Sequence, residues 1–321
     1  MSANVSQEFG GFPTVSIPKV ISAQGEQIIN DFIYILSTEE DLNPKTLKEY
    51  ASDLKQFIGW FESSEQDNQE EDIAFRLEDV ATPTLTRYRE VMQKTMELKP
   101  ATINRRLITL KRFFEWATTE GRIRRDPSKP VKLVPAEKTS PRQMTEKEEA
   151  ALVAAAEHSG TLRDQTIIIV MLHTGLRTME VCDLAPEDIN IGKRSGNVTV
   201  RSGKRNKQRE VPLNSTCRAA LEKYVFTLPP GSKYLFPSEK TGGRLSERAL
   251  RHRIQKYMKL ARLEGLSAHD LRHRFGYVMA VNTPLHRLAQ IMGHDSLDTT
   301  MIYVKATQAD LQSEVEKIAW Q

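Results

Sequence analysis

The sequence predicts a mainly α-helical chain of two domains, with a small antiparallel β-sheet in the second. Three observations carry this reading. The chain has 321 residues, enough for two units that each bury a core. Apolar residues recur at helical spacing through most of its length. Two short stretches, Asn197-Val198-Thr199-Val200 and Glu210-Val211-Pro212-Leu213, flank a glycine-containing basic loop, which is the pattern of a hairpin. The expected organisation is a flexible leader over 1–22, a helical domain over 23–133, a linker over 134–143 and a second domain over 144–321.

Composition bounds the class. Apolar residues make up 39% and charged residues 27%, the proportions of a soluble globular chain. The formal net charge of +4 says little by itself about a polyanionic partner, so the clustering of charge matters more than its sum. Two cysteines, Cys182 and Cys217, are too few for a disulfide framework or a cysteine zinc site, and Cys182 lies in an apolar stretch expected to bury it. No run of about 18 apolar residues predicts a membrane span. The polar first twenty residues lack the apolar core of a signal peptide, and a reducing cytoplasm is the expected compartment.

The elements follow in order. Ile28, Ile29, Phe32, Ile33 and Leu36 form a helical stripe. Asn43-Pro44 supplies a cap and a first-turn proline for a second helix through Leu47, Tyr50, Leu54, Phe57 and Phe61. Residues Glu62 to Asp72 are acidic without a core pattern and are expected to form a solvated loop. From Pro100 to Thr118, Ile103, Leu107, Leu110, Phe114 and Ala117 mark one buried face, with Asn104, Arg105, Lys111 and Arg112 largely off it. Arg122, Arg124, Arg125, Lys129 and Lys132 follow, so this helix and its exit are expected to track phosphates. Residues Val131 to Pro141 hold two prolines and few large apolar side chains, as a linker does.

The second domain opens with Thr145-Glu146-Lys147-Glu148, a capping-box pattern. Ile167 to Leu172 is β-branched and apolar, so propensity alone allows a buried strand. Gly175 as a helix stop allows a buried helix instead. After the hairpin, the chain from Ser215 onward reads as mainly helical. Thr283 and Pro284 are expected to cap and open a compact helix that Gly293 ends.

Candidate chemistry is spread over four segments. Arg177, in Thr174-Gly175-Leu176-Arg177, opens a short helix containing Glu180. An arginine there adds a fork of donors to the positive end of a helix, which suits a phosphate. Arg201 to Arg209 holds five basic residues in nine: Arg201, Lys204, Arg205, Lys207 and Arg209. His269 and Arg272, three apart in His269-Asp270-Leu271-Arg272-His273-Arg274-Phe275, share a helix face. His294 sits at a turn, and Tyr303 stands nine positions later. A phenol has an unperturbed pKa of about 10, so attack at neutral pH needs a base or a strongly positive site.

In order and spacing these motifs resemble the tyrosine recombinases, the family of the Xer proteins, lambda integrase and Cre. The likeness runs from about residue 25 to the end. In the first half it rests on Pro44-Lys45-Thr46-Leu47-x-x-Tyr50 and Ala101-Thr102-Ile103-Asn104-Arg105-Arg106-Leu107, which are similar to the family's SAM-like core-binding domain. The resemblance implies a C-shaped clamp around DNA. It implies that Tyr303 attacks a DNA phosphate and forms a 3′-phosphotyrosine, with no cofactor, metal or ATP. Arg177 and Arg272 would clamp that phosphate, with Glu180 supporting Arg177. His294 would bond a non-bridging oxygen, and His269 would assist proton transfer from the tyrosine. Lys204 would protonate the departing 5′ oxygen, with Lys207 as the alternative. His273 and Arg274 are read as structural or DNA-facing.

Thr46, Asn104, Arg105, Arg106, Arg201, Arg205 and Lys207 are the expected DNA contacts. The implied partners are double-stranded DNA with specific sites and, in the synapse, a homotetramer formed through the helix after Tyr303. Accessory bending or directionality proteins are also implied, and no membrane is. The leader and the acidic segment differ from minimal Xer proteins, which makes an integrase or resolvase of a mobile element at least as good a reading. Two alternatives remain: a catalytically inactive DNA-binding regulator on the same fold, and a type IB topoisomerase-like relaxing enzyme.

Overall fold

A computed structural model describes residues 20–40, 42–66, 74–136, 141–201 and 208–304. The chain divides into two compact units, Met1–Lys138 and Thr139–Gln321.

In the first unit, four helices surround one core: α1 (Ala23–Glu39), α2 (Pro44–Gln66), α3 (Thr82–Lys94) and α4 (Pro100–Thr119). Local chemistry starts them. Ser22 Oγ accepts the Gly25 amide at 3.1 Å, and Asn43 Oδ1 accepts that of Lys45 at 2.8 Å just before Pro44. The predicted stripe of α4 is buried, joined by Phe113. Edge-to-face aromatic pairs such as Phe57–Tyr88 and Phe113–Phe114, each with centroids 5.2 Å apart, fill the centre.

One expectation is corrected here. Glu62 is not in a solvated loop, because α2 continues to Gln66. Its buried carboxylate accepts the backbone N–H groups of Ser22 at 3.1 Å and Phe75 at 3.2 Å. Two otherwise orphaned amides explain why an acid is kept inside. The remainder of the acidic stretch, from residue 67, lies outside the described residues.

The second unit contains α5 (Glu146–Ser159), α6 (Leu162–Thr174), α7 (Thr178–Asp183), strands β1 (Ile189–Ile191), β2 (Gly196–Arg201) and β3 (Gln208–Pro212), and α8 (Ser215–Val225). After these come α9 (Glu247–Leu260), α10 (Ala268–Ala280), α11 (Leu285–Met292), α12 (Leu297–Thr300) and a 3₁₀ turn at Met301–Tyr303. The capping box opens α5: Thr145 Oγ1 accepts the Glu148 amide and Glu148 Oε2 accepts that of Thr145. Ile167 to Leu172 is helical. It is buried against α5, α8 and α10, so its β-branched content reflects packing rather than strand pairing. The sheet is antiparallel in the order β1-β2-β3, with Val198 facing both Ile189 and Val211. β1, three residues long, had no periodicity to betray it. Thr283 does not cap α11. Pro284 occupies the cap position and no side chain bonds the first turn, so the ring's fixed φ directs the chain into the helix.

Candidate active site

Three segments converge on the last turn of α11. That helix ends at Gly293 in a left-handed conformation, φ +66°. The amides of Gly293 and His294 return to Gln290 and Ala289, which leaves the next three carbonyls free of helical partners. Each takes one arginine. Arg209 Nε donates to Ile291 O at 3.0 Å, Arg272 Nη2 to Met292 O at 2.9 Å and Arg177 Nη2 to Gly293 O at 2.7 Å. The negative end of the helix dipole favours this gathering of cations. Glu180 offsets the remaining repulsion. It accepts the Arg177 amide at 2.7 Å, Arg177 Nη1 at 2.9 Å, and both Nη atoms of Arg209 at 2.8 and 2.9 Å.

Local geometry sets these positions. Gly175 ends α6 at φ +63°, and a Cβ there would lie 2.4 Å from the Phe275 ring. The bare backbone lets α6 end against α10, where Arg272 Nη1 also donates to Gly175 O. Arg177 then caps α7 with its side chain 42% exposed, able to meet a ligand, while Arg272 is buried. Burial, and then the charge of Arg177, lower the Arg272 pKa to about 10. Burial pushes the Glu180 carboxyl up, but hydrogen bonds and charge from Arg209 and Arg177 bring it below its ordinary value.

His294 Nε2 lies 2.7 Å from Arg272 Nη2, and its Nδ1 lies 2.7 Å from Thr300 Oγ1. A guanidinium only donates, so Nε2 accepts, and Nδ1 carries the proton toward Thr300. Burial, followed by the charges of Arg272, Arg177 and Arg209, lowers this imidazole to about 4, so it is neutral at pH 7.

Tyr303 enters from the 3₁₀ turn and is buried. Its ring lies against Gly276, where a Cβ would fall 2.5–2.8 Å from ring atoms. It meets Tyr277 edge-on at 5.2 Å and runs parallel to His294 at 6.4 Å. Its Oη is 3.1 Å from His273 Nδ1. A base or a strongly positive site was the expected requirement for this phenol to attack at neutral pH. Instead burial outweighs the pull of Arg272 and Arg177, and the pKa rises to about 12.

Of the six predicted site residues, Arg177, Arg272, His294 and Tyr303 meet at this centre. His269 stands at the start of α10, surface-exposed, its ring 4.5 Å from that of His273. Desolvation and the Arg272 charge hold its pKa below the ordinary value. Lys204, Arg205 and Lys207 lie outside the described residues.

The other expected DNA contacts differ in availability. Thr46 is half-buried in the first turn of α2. Asn104 is committed within its unit: its Nδ2 donates to Val134 O and its Oδ1 accepts the Val134 amide, both at 2.8 Å. Arg105 pairs with buried Asp53 yet keeps 45% of its side chain exposed. Arg106 does not stand on the helix surface; it is packed inward beside Asp53 with 11% of its side chain exposed. Arg201 is exposed and pairs with buried Asp188 at 2.7 Å.

Sequence reasoning did not single out Gly276 or Thr300, counted Arg209 only within the basic run, and read His273 as structural or DNA-facing. Spacing held a signal for two. His269, His273 and Tyr277 recur every fourth residue on one stripe of α10, and Gly276 stands one turn after Arg272. Both cysteines are buried, and burial raises each thiol to about 12, so neither is a poised nucleophile. Among the described residues, no group of three or more His, Cys, Asp or Glu side chains could hold a metal ion, and no helix is long and apolar enough to cross a membrane.

Known proteins resemble this chain over nearly its whole length. The sequence profile of the phage integrase family matches residues 142–310, and that of the phage integrase N-terminal SAM-like domain matches residues 29–121. The tyrosine recombinase XerD of Pseudomonas aeruginosa is 30% identical over 295 residues, 89% of this chain and 94% of the relative. The tyrosine recombinase XerC of Thermodesulfovibrio yellowstonii is 29% identical over 301 residues, 90% and 93% of the two chains. Among solved structures, the XerH site-specific recombinase bound to palindromic difH substrate aligns with a TM-score of 0.71 at 17% identity, covering 94% of this chain and 98% of that one. A lambda integrase dimer bound to a core site aligns at 0.66 and 18% identity, covering 85% and 96%. At those identities the structural likeness speaks for the fold.

Proposed function

This chain belongs to the phage integrase family and is a tyrosine site-specific recombinase acting on DNA; from that premise we propose that Tyr303 cuts one strand and holds it as a covalent 3′-phosphotyrosine. The observation that carries the assignment is the convergence of Arg177, Arg272 and His294 beside Tyr303 on the end of α11. A DNA phosphate seated on Arg177 and Arg272 places its phosphorus within reach of the phenol. The guanidiniums offer hydrogen bonds and charge as phosphorus becomes five-coordinate and gains negative charge. His294, neutral and protonated on Nδ1, leaves its Nε2 edge with Arg272. A bond from His294 to a non-bridging oxygen, which can only accept, therefore requires Nε2 to leave Arg272 and to gain a proton.

As Oη bonds phosphorus it gives up its proton, a transfer that the family resemblance assigns to His269; the bond to the 5′ oxygen breaks, and that oxygen takes a proton from Lys204, with Lys207 as the alternative. The 5′ hydroxyl of a partner strand reverses these steps, so the phosphodiester energy is kept in the tyrosyl link. Four protomers on two duplexes exchange strands through a Holliday junction, with the segment after Tyr303 joining neighbours. Helper proteins that bend DNA set the direction, and the reaction takes place in the cytoplasm. This assembly rests on the family resemblance, because residues 305–321 lie outside those described.

Covalent capture tests the assignment. The protein is incubated with nicked duplexes of randomised sequence, and denaturant-resistant complexes are recovered and sequenced. The wild type is expected to retain one class of duplex through a 3′ phosphate. Tyr303→Phe is expected to bind that duplex and retain none. An adduct persisting in Tyr303→Phe overturns the nucleophile. Absence of any wild-type adduct supports the inactive regulator, and relaxation of plasmids lacking the captured sequence supports a topoisomerase.

A further inference from the structure

Tyr303 is not packed in the main core of its unit. It belongs to a smaller cluster with Phe275, Tyr277, Leu288 and Met292. Within that cluster Tyr277 stands edge-on to the phenol ring, with planes at 88° and centroids 5.2 Å apart. Its own hydroxyl is committed elsewhere: Oη donates to Pro141 O at 3.1 Å, across 136 residues. A carbonyl only accepts, so Tyr277 is the donor. Burial raises its pKa, which keeps that proton in place around neutral pH.

Pro141 is the first described residue of the second unit and leads into α5. The segment it opens is held at further points. Arg142 Nη1 donates to Glu264 O, in the turn before α10, and Nη2 to Glu148, while Met144 is fully buried. Gly276 leaves no side chain between α10 and the Tyr303 ring. The phenol therefore lies on bare backbone beneath and on the Tyr277 ring at its side.

We infer that Tyr277 is a positioning residue for the nucleophile: its ring sets the line of attack of Tyr303, and its bond to Pro141 fixes that ring against the segment by which the chain enters the second unit. The inference rests on Tyr303 being the nucleophile. Aromatic pairs are favourable over centroid separations of about 4.5–7 Å, so ring contact alone is a loose restraint. A hydrogen bond holds its atoms to a few tenths of an ångström and supplies the direction that the ring contact lacks. The phenol must attack in line with the departing 5′ oxygen, and a misplaced reacting atom costs rate rather than binding. No proton passes through Tyr277, which acts only through the place it gives Tyr303.

The test uses the full chain, a nicked duplex recovered by covalent capture, single-turnover cleavage at saturating protein, and a fluorotyrosine at position 303 read by fluorine NMR. Tyr277→Phe keeps the ring and removes only the tether. It is expected to bind DNA within about twofold of wild type and to cleave about 5- to 30-fold more slowly. Its pH profile should keep the wild-type shape, and the fluorine line should shift or broaden as the ring at 303 gains freedom. Arg142→Ala loosens the same segment without touching Tyr277. It should also slow cleavage, and adding it to Tyr277→Phe should slow the reaction little further, because both act along one path. Cleavage by Tyr277→Phe within about twofold of wild type overturns the inference. So does a slow variant whose fluorine line is unchanged, since the ring at 303 is then held without the tether. An Arg142→Ala rate equal to wild type, or a double variant slowed by the product of the two single effects, overturns the role of Pro141. If instead the wild type forms no adduct, or Tyr303→Phe forms one, the nucleophile assignment itself fails.

Discussion

Arg209 and Glu180 are joined by two parallel hydrogen bonds, Nη1 to Oε1 at 2.8 Å and Nη2 to Oε2 at 2.9 Å. The same carboxylate accepts the backbone and side chain of Arg177, so one acid ties a strand residue to the arginine that caps α7. The planar guanidinium matches the carboxylate in a way an ammonium cannot. Arg209 thereby bears on Arg177 through Glu180 and on the end of α11 through Ile291.

Replacing Arg209 with Met should cost about 2–4 kcal/mol of stability, since a buried acid loses one of two cationic partners. Urea unfolding measures this. Single-turnover cleavage should slow by about 10- to 100-fold as Arg177 loses its fixed acid. Arg209→Lys should recover part of the stability and less of the rate. A cleavage rate unchanged in Arg209→Met would show that Arg177 is positioned without this brace.

Acid should weaken the same junction. The Glu180 pKa is lowered in the fold from 4.5, so its stabilising contribution is full above that value and is lost as pH falls through the lower folded value. Urea midpoints of wild type and Glu180→Gln should differ most at neutral pH and converge as the pH drops below 4.5. A gap that widens on acidification would mean that Glu180 is not held ionised by the two arginines.

Gly276→Ala places a methyl group 2.5–2.8 Å from the Tyr303 ring carbons, closer than packed atoms tolerate. Alanine favours the helix by about 0.5–1 kcal/mol, but overpacking costs about 1–3 kcal/mol, so a small net loss of stability is expected. The displaced phenol should lower cleavage at least about tenfold while DNA affinity is kept. Wild-type cleavage in this variant would show that the ring does not need the bare backbone beneath it.

Thr300→Val keeps the shape of a fully buried side chain but removes the oxygen that His294 Nδ1 meets at 2.7 Å. The loss should cost about 1–3 kcal/mol, because a buried ring N–H is left without a partner. Nitrogen NMR of labelled histidine should report the Nδ1-protonated form at His294 in the wild type and a mixture in the variant. A wild-type spectrum protonated on Nε2 would contradict the assignment.

Local signals predicted much of this protein. Asn43-Pro44, the Thr145–Glu148 box and Gly293 each mark a helix end by interactions within four residues, so the sequence displays them directly. The hairpin was legible because β2 and β3 alternate in burial, with Val198, Val200 and Val211 inward. The α11 cap was misread because a threonine before proline looks like a cap, and whether its hydroxyl reaches the first turn depends on the path of the chain. Glu62 was misread because charge predicts exposure unless buried donors await it, and those donors belong to segments 40 and 13 residues away.

The sequence by itself determined which chemical groups the protein carries and in what order: two arginines, two histidines and a tyrosine in motifs spaced as in the tyrosine recombinases. Tertiary structure alone decided how they meet. Arg177 reaches Gly293 across 116 residues and Arg209 reaches Ile291 across 82, and no local pattern encodes which carbonyl each guanidinium takes. Folding also put His273 at the Tyr303 hydroxyl and buried that phenol deeply enough for desolvation to outweigh two nearby cations. Periodicity reports the face on which a residue lies. Hydrogen-bond partners and dielectric surroundings are properties of the packed chain.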